Sequence, residues 1–249
     1  MPNEISSAVK EELFSVHKLN KKILDCKLCP RLTEYIGIVE KHQTKKFINQ
    51  VYWAKPVPSF GDPKAKLLII GLAPAMHGGN RTGRIFTGDS SGDWLVRALY
   101  ETGFANKPFS VSRNDGLRLK DAYLTAAVRC APPNNKPNST EISNCSQYLS
   151  AEINILERTT KVIVVLGKVA FDGFCSISNI KELKFGHNKI YTIDGDKTLI
   201  VSYHPSRRNT NTYTLTWQMW ISIFKTARSI ITQEKVNAYP KNLGNHEFD

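Results

Sequence analysis

Nothing in this 249-residue sequence is long and apolar enough to span a bilayer. The opening stretch, Met1–Lys10, lacks the apolar core of a secretion signal. There is no internal repeat, no low-complexity tract and no clear linker. Cysteine is sparse and odd in number: five residues, Cys26, Cys29, Cys130, Cys145 and Cys175. These absences argue against a membrane protein, a repeat array and a disulfide framework. They leave an intracellular, cytoplasmic protein, read as one domain over residues 1–249 with a polar tail at 235–249 that frays. Acidic residues are scarce beside basic ones, 22 against 34, and the net charge is +12. Such a charge favours a polyanionic partner through long-range attraction, although a solvated basic surface would share it. The basic residues are spread along the chain, which suits a contoured face better than a basic arm.

What is present is a mixed α/β pattern. Hydrophobic residues make up 41 %, enough for a globular core. Four short apolar runs, 67–72, 122–128, 162–166 and 199–203, show almost no alternation, as strands covered on both faces do. Helical stripes lie between and after them. Trp94, Leu95, Ala98 and Leu99 share one face, with Gly103 placed to end that helix. Asn138 and Glu141 form a capping-box pattern ahead of Ile142, Cys145, Leu149, Ile153 and Leu156. Trp217, Ile221, Phe224, Ala227 and Ile231 make a last stripe. The sequence up to about Leu24 reads as an amphipathic helix, and 41–63 as a long basic, aromatic, proline-bearing loop. Alternating strands and helices predict a three-layer α/β/α sandwich around a mostly parallel four-stranded sheet. Ligands then bind beyond the carboxyl ends of the strands.

Three segments there carry chemistry. Gly71-Leu-Ala-Pro-Ala-Met-His-Gly-Gly-Asn-Arg-Thr-Gly-Arg-Ile-Phe-Thr-Gly-Asp-Ser-Ser-Gly92 leaves a strand through a glycine-rich loop and enters a helix. Its glycines allow close backbone approach, Asn80, Arg81 and Arg84 are polar or cationic, and Phe86 offers a stacking face. Composition alone also allows a phosphate cradle, but the spacing matches neither the dinucleotide nor the P-loop fingerprint. His204-Pro-Ser-Arg-Arg-Asn209 follows the last strand; a histidine there can donate to charge developing on a leaving group, and Arg207 and Arg208 can meet phosphates. Cys26-Lys-Leu-Cys29 and the pair Cys130 and Cys145 give four thiols, suited to zinc or an iron–sulfur cluster, with Cys175 a buried inert thiol.

From Cys26 to the last helix the sequence resembles the uracil-DNA glycosylase superfamily, and within it the iron–sulfur-containing family 5. The resemblance rests on Gly71–Gly92, on Tyr52-Trp-Ala-Lys-Pro-Val-Pro-Ser-Phe-Gly-Asp62, on Arg129-Cys-Ala-Pro-Pro-Asn-Asn-Lys-Pro137 and on His204-Pro-Ser206. It implies a monofunctional enzyme of base excision repair. Such an enzyme flips a deaminated base from single- or double-stranded DNA and hydrolyses its glycosidic bond. It implies a [4Fe–4S] cluster on Cys26, Cys29, Cys130 and Cys145, with zinc as the alternative. His204 would be the donor to the base and Phe86 its platform, with Gly71, Leu72, Ala73 and Asn80 lining the pocket. Arg81, Arg84, Ser206, Arg207 and Arg208 would face DNA.

Related enzymes place a carboxylate within the first motif, where this chain has Leu72 and Ala75. Asp89 is the nearest carboxylate and is assigned the water and the cationic sugar, although it also stands where a helix N-cap is expected. Asn135 is the second such candidate, with Asn134 as its substitute. Related enzymes also read the uracil edge with an asparagine where this chain has Ala126, which implies a broader range of bases, hypoxanthine and xanthine included. A monomer is expected. The competing readings are a non-catalytic nucleic-acid-binding module with a structural metal site and a nucleotide-dependent enzyme.

Overall fold

The computed structural model describes residues 7–41 and 43–237, so residues 1–6 and the tail beyond 237 lie outside it. In chain order the elements are α1 (Ser7–Leu24), α2 (Pro30–Lys41), β1 (Phe60–Gly61), β2 (Leu67–Gly71), α3 (Gly79–Thr82), α4 (Ser90–Glu101), β3 (Ala122–Ala126), α5 (Ser139–Leu156), β4 (Val162–Leu166), α6 (Lys168–Ile177), β5 (Lys189–Ile193), β6 (Lys197–Ser202), α7 (Arg207–Asn211) and α8 (Trp217–Asn237). No helix among the described residues is long and apolar enough to cross a membrane.

The sheet has six strands, not the expected four, in the order β1-β3-β2-β4-β6-β5. Its four central strands pair in parallel and are the four apolar runs. The two additions are antiparallel edges, β1 on β3 and β5 on β6. They escaped the sequence reading for different reasons. β1 is two residues long. β5, Lys-Ile-Tyr-Thr-Ile, has an open face and so lacks the continuous apolar run of a strand covered twice.

Strand residues alternate between two cores, as the pleat requires. Leu67, Ile69, Leu124, Val162, Val164 and Ile200 pack with Leu95, Ala98 and Leu99 of α4 and with Trp220, Phe224, Ala227 and Ile231 of α8. Leu68, Ile70, Tyr123, Ile163, Val165 and Val201 face the other way, against Leu149 and Leu156 of α5 and Phe171 and Phe174 of α6. Helices therefore cover both faces, and the three-layer sandwich stands. The capping box holds α5 as expected: Asn138 Oδ1 accepts from the Glu141 amide at 2.9 Å and the Asn138 amide donates to Glu141 at 2.8 Å. Gly103, in the left-handed region at φ 77°, follows the end of α4.

The connections after β2 and β4 leave to opposite faces, β2 toward α4 and β4 toward α6. Between the carboxyl ends of these neighbouring strands the topology opens a crevice. Gly71 and Gly167 end the two strands, and the His204 segment leaves β6 beside β4.

Candidate active site

Three glycines at the crevice make room for candidate side chains. A methyl group on Gly71 would come within 2.5 Å of Phe86 Cζ, so the Phe86 ring lies against the end of β2. Phe86 adopts a left-handed backbone, φ 50°, which turns the loop beneath the strand end. On Gly78 a methyl group would meet Asp89 Oδ2 at 2.0 Å; on Gly167 it would lie 3.2 Å from His204 Cβ. The glycine pattern thus reflects close packing of side chains onto backbone rather than a phosphate cradle.

Asp89 divides its two oxygens. Oδ1 accepts from the Ser91 and Gly92 amides, both at 3.0 Å, and caps α4. Oδ2 points toward Gly78 and forms no hydrogen bond among the described residues. Burial raises the Asp89 pKa above the ordinary carboxylate value and outweighs the lowering by the two amides and by Arg81. His204 is shifted the other way. Burial alone lowers it to about 4, so at neutral pH its ring is uncharged. Its carbonyl accepts from the Ser206 amide and from Asn209 Nδ2, each at 2.8 Å. Two bonds join the Asp89 and His204 loops: Ser91 Oγ to the Pro205 carbonyl, 3.0 Å, and Arg207 Nε to Ser90 Oγ, 3.3 Å. A carboxylate with a free oxygen, a neutral imidazole and an aromatic ring therefore gather at one end of the sheet.

Asn80 is fully buried, and neither its Oδ1 nor its Nδ2 finds a partner among the described residues. An unmet buried amide costs about 1–3 kcal/mol per group unless a water or ligand meets it. The carbonyls of Gly71 and Leu72 are committed to the Ala127 and Val128 amides, at 2.9 Å each. Ala73 packs beside the cysteines.

Two arginines expected to face DNA do other work. Arg84 is 4 % exposed and ion-paired with Asp115 at 2.6 Å, and it also bonds Thr87 and Ser110. That pairing, with three backbone amides on the same carboxylate, holds Asp115 far below the ordinary range although burial opposes it. Arg84 is thus a buried tie between the motif and the loop after α4. Arg81 donates to the His77 and Gly88 carbonyls and to Gln50 Oε1, with its guanidinium 4.3 Å from the Phe47 ring centroid. It straps the 43–52 loop onto the motif. Tyr52 adds a hydroxyl contact to His77 Nδ1 at 2.8 Å. Spacing gave no sign that these cations turn inward. Arg207 and Arg208 are exposed, and Ser206 caps the short α7. Lys46 and Arg207 both lower the Asp93 carboxyl, whose pKa burial nonetheless raises, so both cations sit near the first turn of α4. Asn134 and Asn135 are exposed on a turn, both left-handed, at φ 53° and 55°.

Cys26, Cys29, Cys130 and Cys145 lie in one cluster with Ile23, Leu32, Ile36 and Tyr148, against Ala73 and Met76 of the motif. Burial, and then the other three thiols, push the Cys130 thiol well up; Cys145 is pushed up to about 11. Asn144 Nδ2 approaches Cys29 Sγ at 3.6 Å. Among the described residues no group of three or more histidine, cysteine or carboxylate side chains is gathered tightly enough for a single metal ion. Cys175 lies apart, partly exposed, against the α5–α6 core. An open cleft of about 530 Å³ runs along α1, Ser59, Phe60 and Arg113; it holds none of Phe86, Asp89 or His204.

Comparison with known proteins adds the lineage. The family model described as the Uracil DNA glycosylase superfamily matches residues 58–226. A Type-5 uracil-DNA glycosylase of Thermus thermophilus is 42 % identical over 207 residues, covering 82 % of this chain and 93 % of that protein. The protein of the same description from Pyrobaculum aerophilum is 39 % identical, covering 83 % and 89 %. One from Mycobacterium bovis is 41 % identical, covering 87 % and 82 %. A Type-4 uracil-DNA glycosylase of Pyrobaculum aerophilum falls to 27 %. With most of its length and all of its crevice inside these matches, the chain belongs to the uracil-DNA glycosylase superfamily, alongside the type-5 members.

Proposed function

We propose that this chain is a monofunctional uracil-DNA glycosylase of base excision repair. The observation that carries the reading is the joining of neutral His204 to the Asp89 loop, with Phe86 under Gly71 at the same end of the sheet. A base inside a duplex is beyond reach of such a crevice, so it is flipped out and stacked on Phe86. Breaking the C1′–N bond leaves its electron pair on the base and positive charge on the sugar. The uncharged His204 donates an N–H to the base oxygen where negative charge develops. Asp89 opposes the sugar cation and accepts a hydrogen bond from the attacking water through Oδ2. Water oxygen bonds C1′, its proton leaves toward Asp89 and solvent, and the base takes up a proton from solvent. Asn135 is the second candidate for the water, and the unmet amide of Asn80 is a group for the base edge or an ordered water. Exposed Arg207 and Arg208, with Ser206, meet the DNA backbone.

Ala126, buried at the end of β3, presents no amide to the base. This supports acceptance of hypoxanthine and xanthine beside uracil, since only polar complementarity rejects a wrong base strongly. The four clustered thiols support a [4Fe–4S] cluster held by Cys26, Cys29, Cys130 and Cys145. A cubane spaces its thiolates more widely than one tetrahedral zinc ion does. When bound, the cluster would cross-link α1, α2 and α5 beneath the motif loop. DNA as substrate and thiols kept reduced both suit the cytoplasm.

The test is cleavage of uracil-containing oligonucleotides after alkali, for wild type, Asp89→Ala and His204→Ala. Alkali-sensitive sites are expected from wild type and are lost in both variants. A wild type that binds the DNA without leaving such sites would favour the non-catalytic binding module instead. The same assay on hypoxanthine oligonucleotides tests breadth, and a strict preference for uracil by several orders of magnitude would end that part of the proposal.

A further inference from the structure

A second histidine, absent from the chemistry above, holds the strand that carries His204. His187 Nδ1 lies 3.4 Å from the Tyr203 amide nitrogen and 3.2 Å from Ser202 Oγ. An amide can only donate, so Nδ1 must be the unprotonated nitrogen and Nε2 carries the hydrogen. The ring also meets the backbone of Met219 in the first turn of α8, which favours its charged form while burial disfavours it more strongly. One imidazole therefore lies between the end of β6 and the start of α8. It also lies along the Tyr203 ring, centroids 5.2 Å apart and planes 33° from parallel, and Phe185 packs on Tyr203 from 6.0 Å. The chain delivers His187 to this place through the antiparallel edge. Asn188, left-handed at φ 58°, donates its amide to the Val201 carbonyl at 2.8 Å, and β5 then pairs back along β6.

His204 depends on such help. Its ring makes no hydrogen bond among the described residues, and burial is the sole cause of its shift. Its place comes from the backbone: from Gly167 close to Cβ, from its own bonded carbonyl, and from the Ser202–Tyr203 peptide that leads out of β6. We propose that His187 is a positioning residue for His204, acting through the Tyr203 amide. This rests on His204 being the donor to the departing base. It also gives β5 a purpose that the parallel core does not require.

The experiment compares wild type with His187→Ala, His187→Asn and His187→Gln on a uracil oligonucleotide under single-turnover conditions, with the ring ¹⁵N signals of His204 followed by NMR. Asparagine Oδ1 can replace Nδ1 as acceptor for the Tyr203 amide, whereas the longer glutamine reaches toward Met219. His187→Ala is expected to slow the bond-breaking step about ten- to a hundredfold, the scale of a small misplacement, with little change in half-saturating DNA concentration. Its His204 signals should move. Asn should restore both readouts and Gln should not. Unchanged rate and unchanged His204 signals in His187→Ala would overturn the proposal. So would a change confined to DNA affinity, or rescue by Gln but not Asn. Failure of the glycosylase reading is distinguishable: wild type would then release no uracil, while the His204 signals would still judge the positioning.

Discussion

At the scale of single residues, the site is a set of paired compromises. Asp89 serves as helix cap and as free carboxylate, and two substitutions separate the roles. Asp89→Asn keeps a capping oxygen, so its stability should stay near wild type; Asp89→Ala should lose about 1 kcal/mol in urea unfolding. Both should lose activity by about a hundredfold or more if charge on Oδ2 is what matters. An Asp89→Asn enzyme at full single-turnover rate would remove Asp89 from the mechanism. Gly71→Ala pushes a methyl group into the Phe86 ring. We expect about 1–3 kcal/mol of destabilisation from overpacking and weaker capture of uracil DNA. His204 yields a pH prediction. Its folded pKa, about 4, lies below its ordinary 6.5. Between those values the unfolded chain binds a proton that the folded chain refuses, so acidification weakens the fold. The loss, roughly 3 kcal/mol at full extent, should be smaller in His204→Gln when urea midpoints are compared from pH 7 to pH 4. Asp89, shifted upward by burial, works in the opposite sense, so the difference between wild type and variant isolates the histidine.

At the scale of elements, the strand ends and the connections between them carry the design. β3 and α5 are joined by a buried polar network in which Arg129 pairs with Glu152, while Ser59 and Thr125 donate to the same carboxylate. Both ionic side chains are 1 % exposed. Glu152→Ala should cost about 3–5 kcal/mol by leaving the guanidinium buried and unpaired, read as a lower urea midpoint. Sequence patterns announced α4 and α5 with their caps, and α8 by its apolar stripe, because capping and helical periodicity are local. They did not announce α2, which begins at Pro30 immediately after Cys29. Pro at the first helical position is a usable start signal, but here it merges with the Cys-x-x-Cys-Pro run. Nor did they show that Arg81 and Arg84 turn inward. A guanidinium on a loop reads the same whether its partner is a phosphate or Asp115, a residue 31 positions away.

At the scale of the molecule, the proposed cluster joins the N-terminal helices to the loop after β3 and to α5. A [4Fe–4S] cluster predicts brown protein, broad visible absorption, and iron and sulfide in equal amounts. Colourless protein containing zinc would replace it with the alternative ion. Removing the metal by chelation should loosen α2 and the motif loop above it, read by faster amide exchange there than in the sheet core. Chain order and local pattern alone determined the parallel core, its helices on both faces, the strand ends at which chemistry gathers, and the identity of the long motif. These are short-range properties: periodicity, capping, and the apolar runs of twice-covered strands. Only the tertiary structure decided the rest. It placed Phe86 under Gly71, left one Asp89 oxygen free beside Gly78, buried Arg84 on Asp115, and brought His187 behind the His204 strand. Each of these depends on which groups meet across the fold and lose their water there. The Gly71–Gly92 segment names the family; burial and the edge strand decide which of its side chains face the crevice and which hold it in shape.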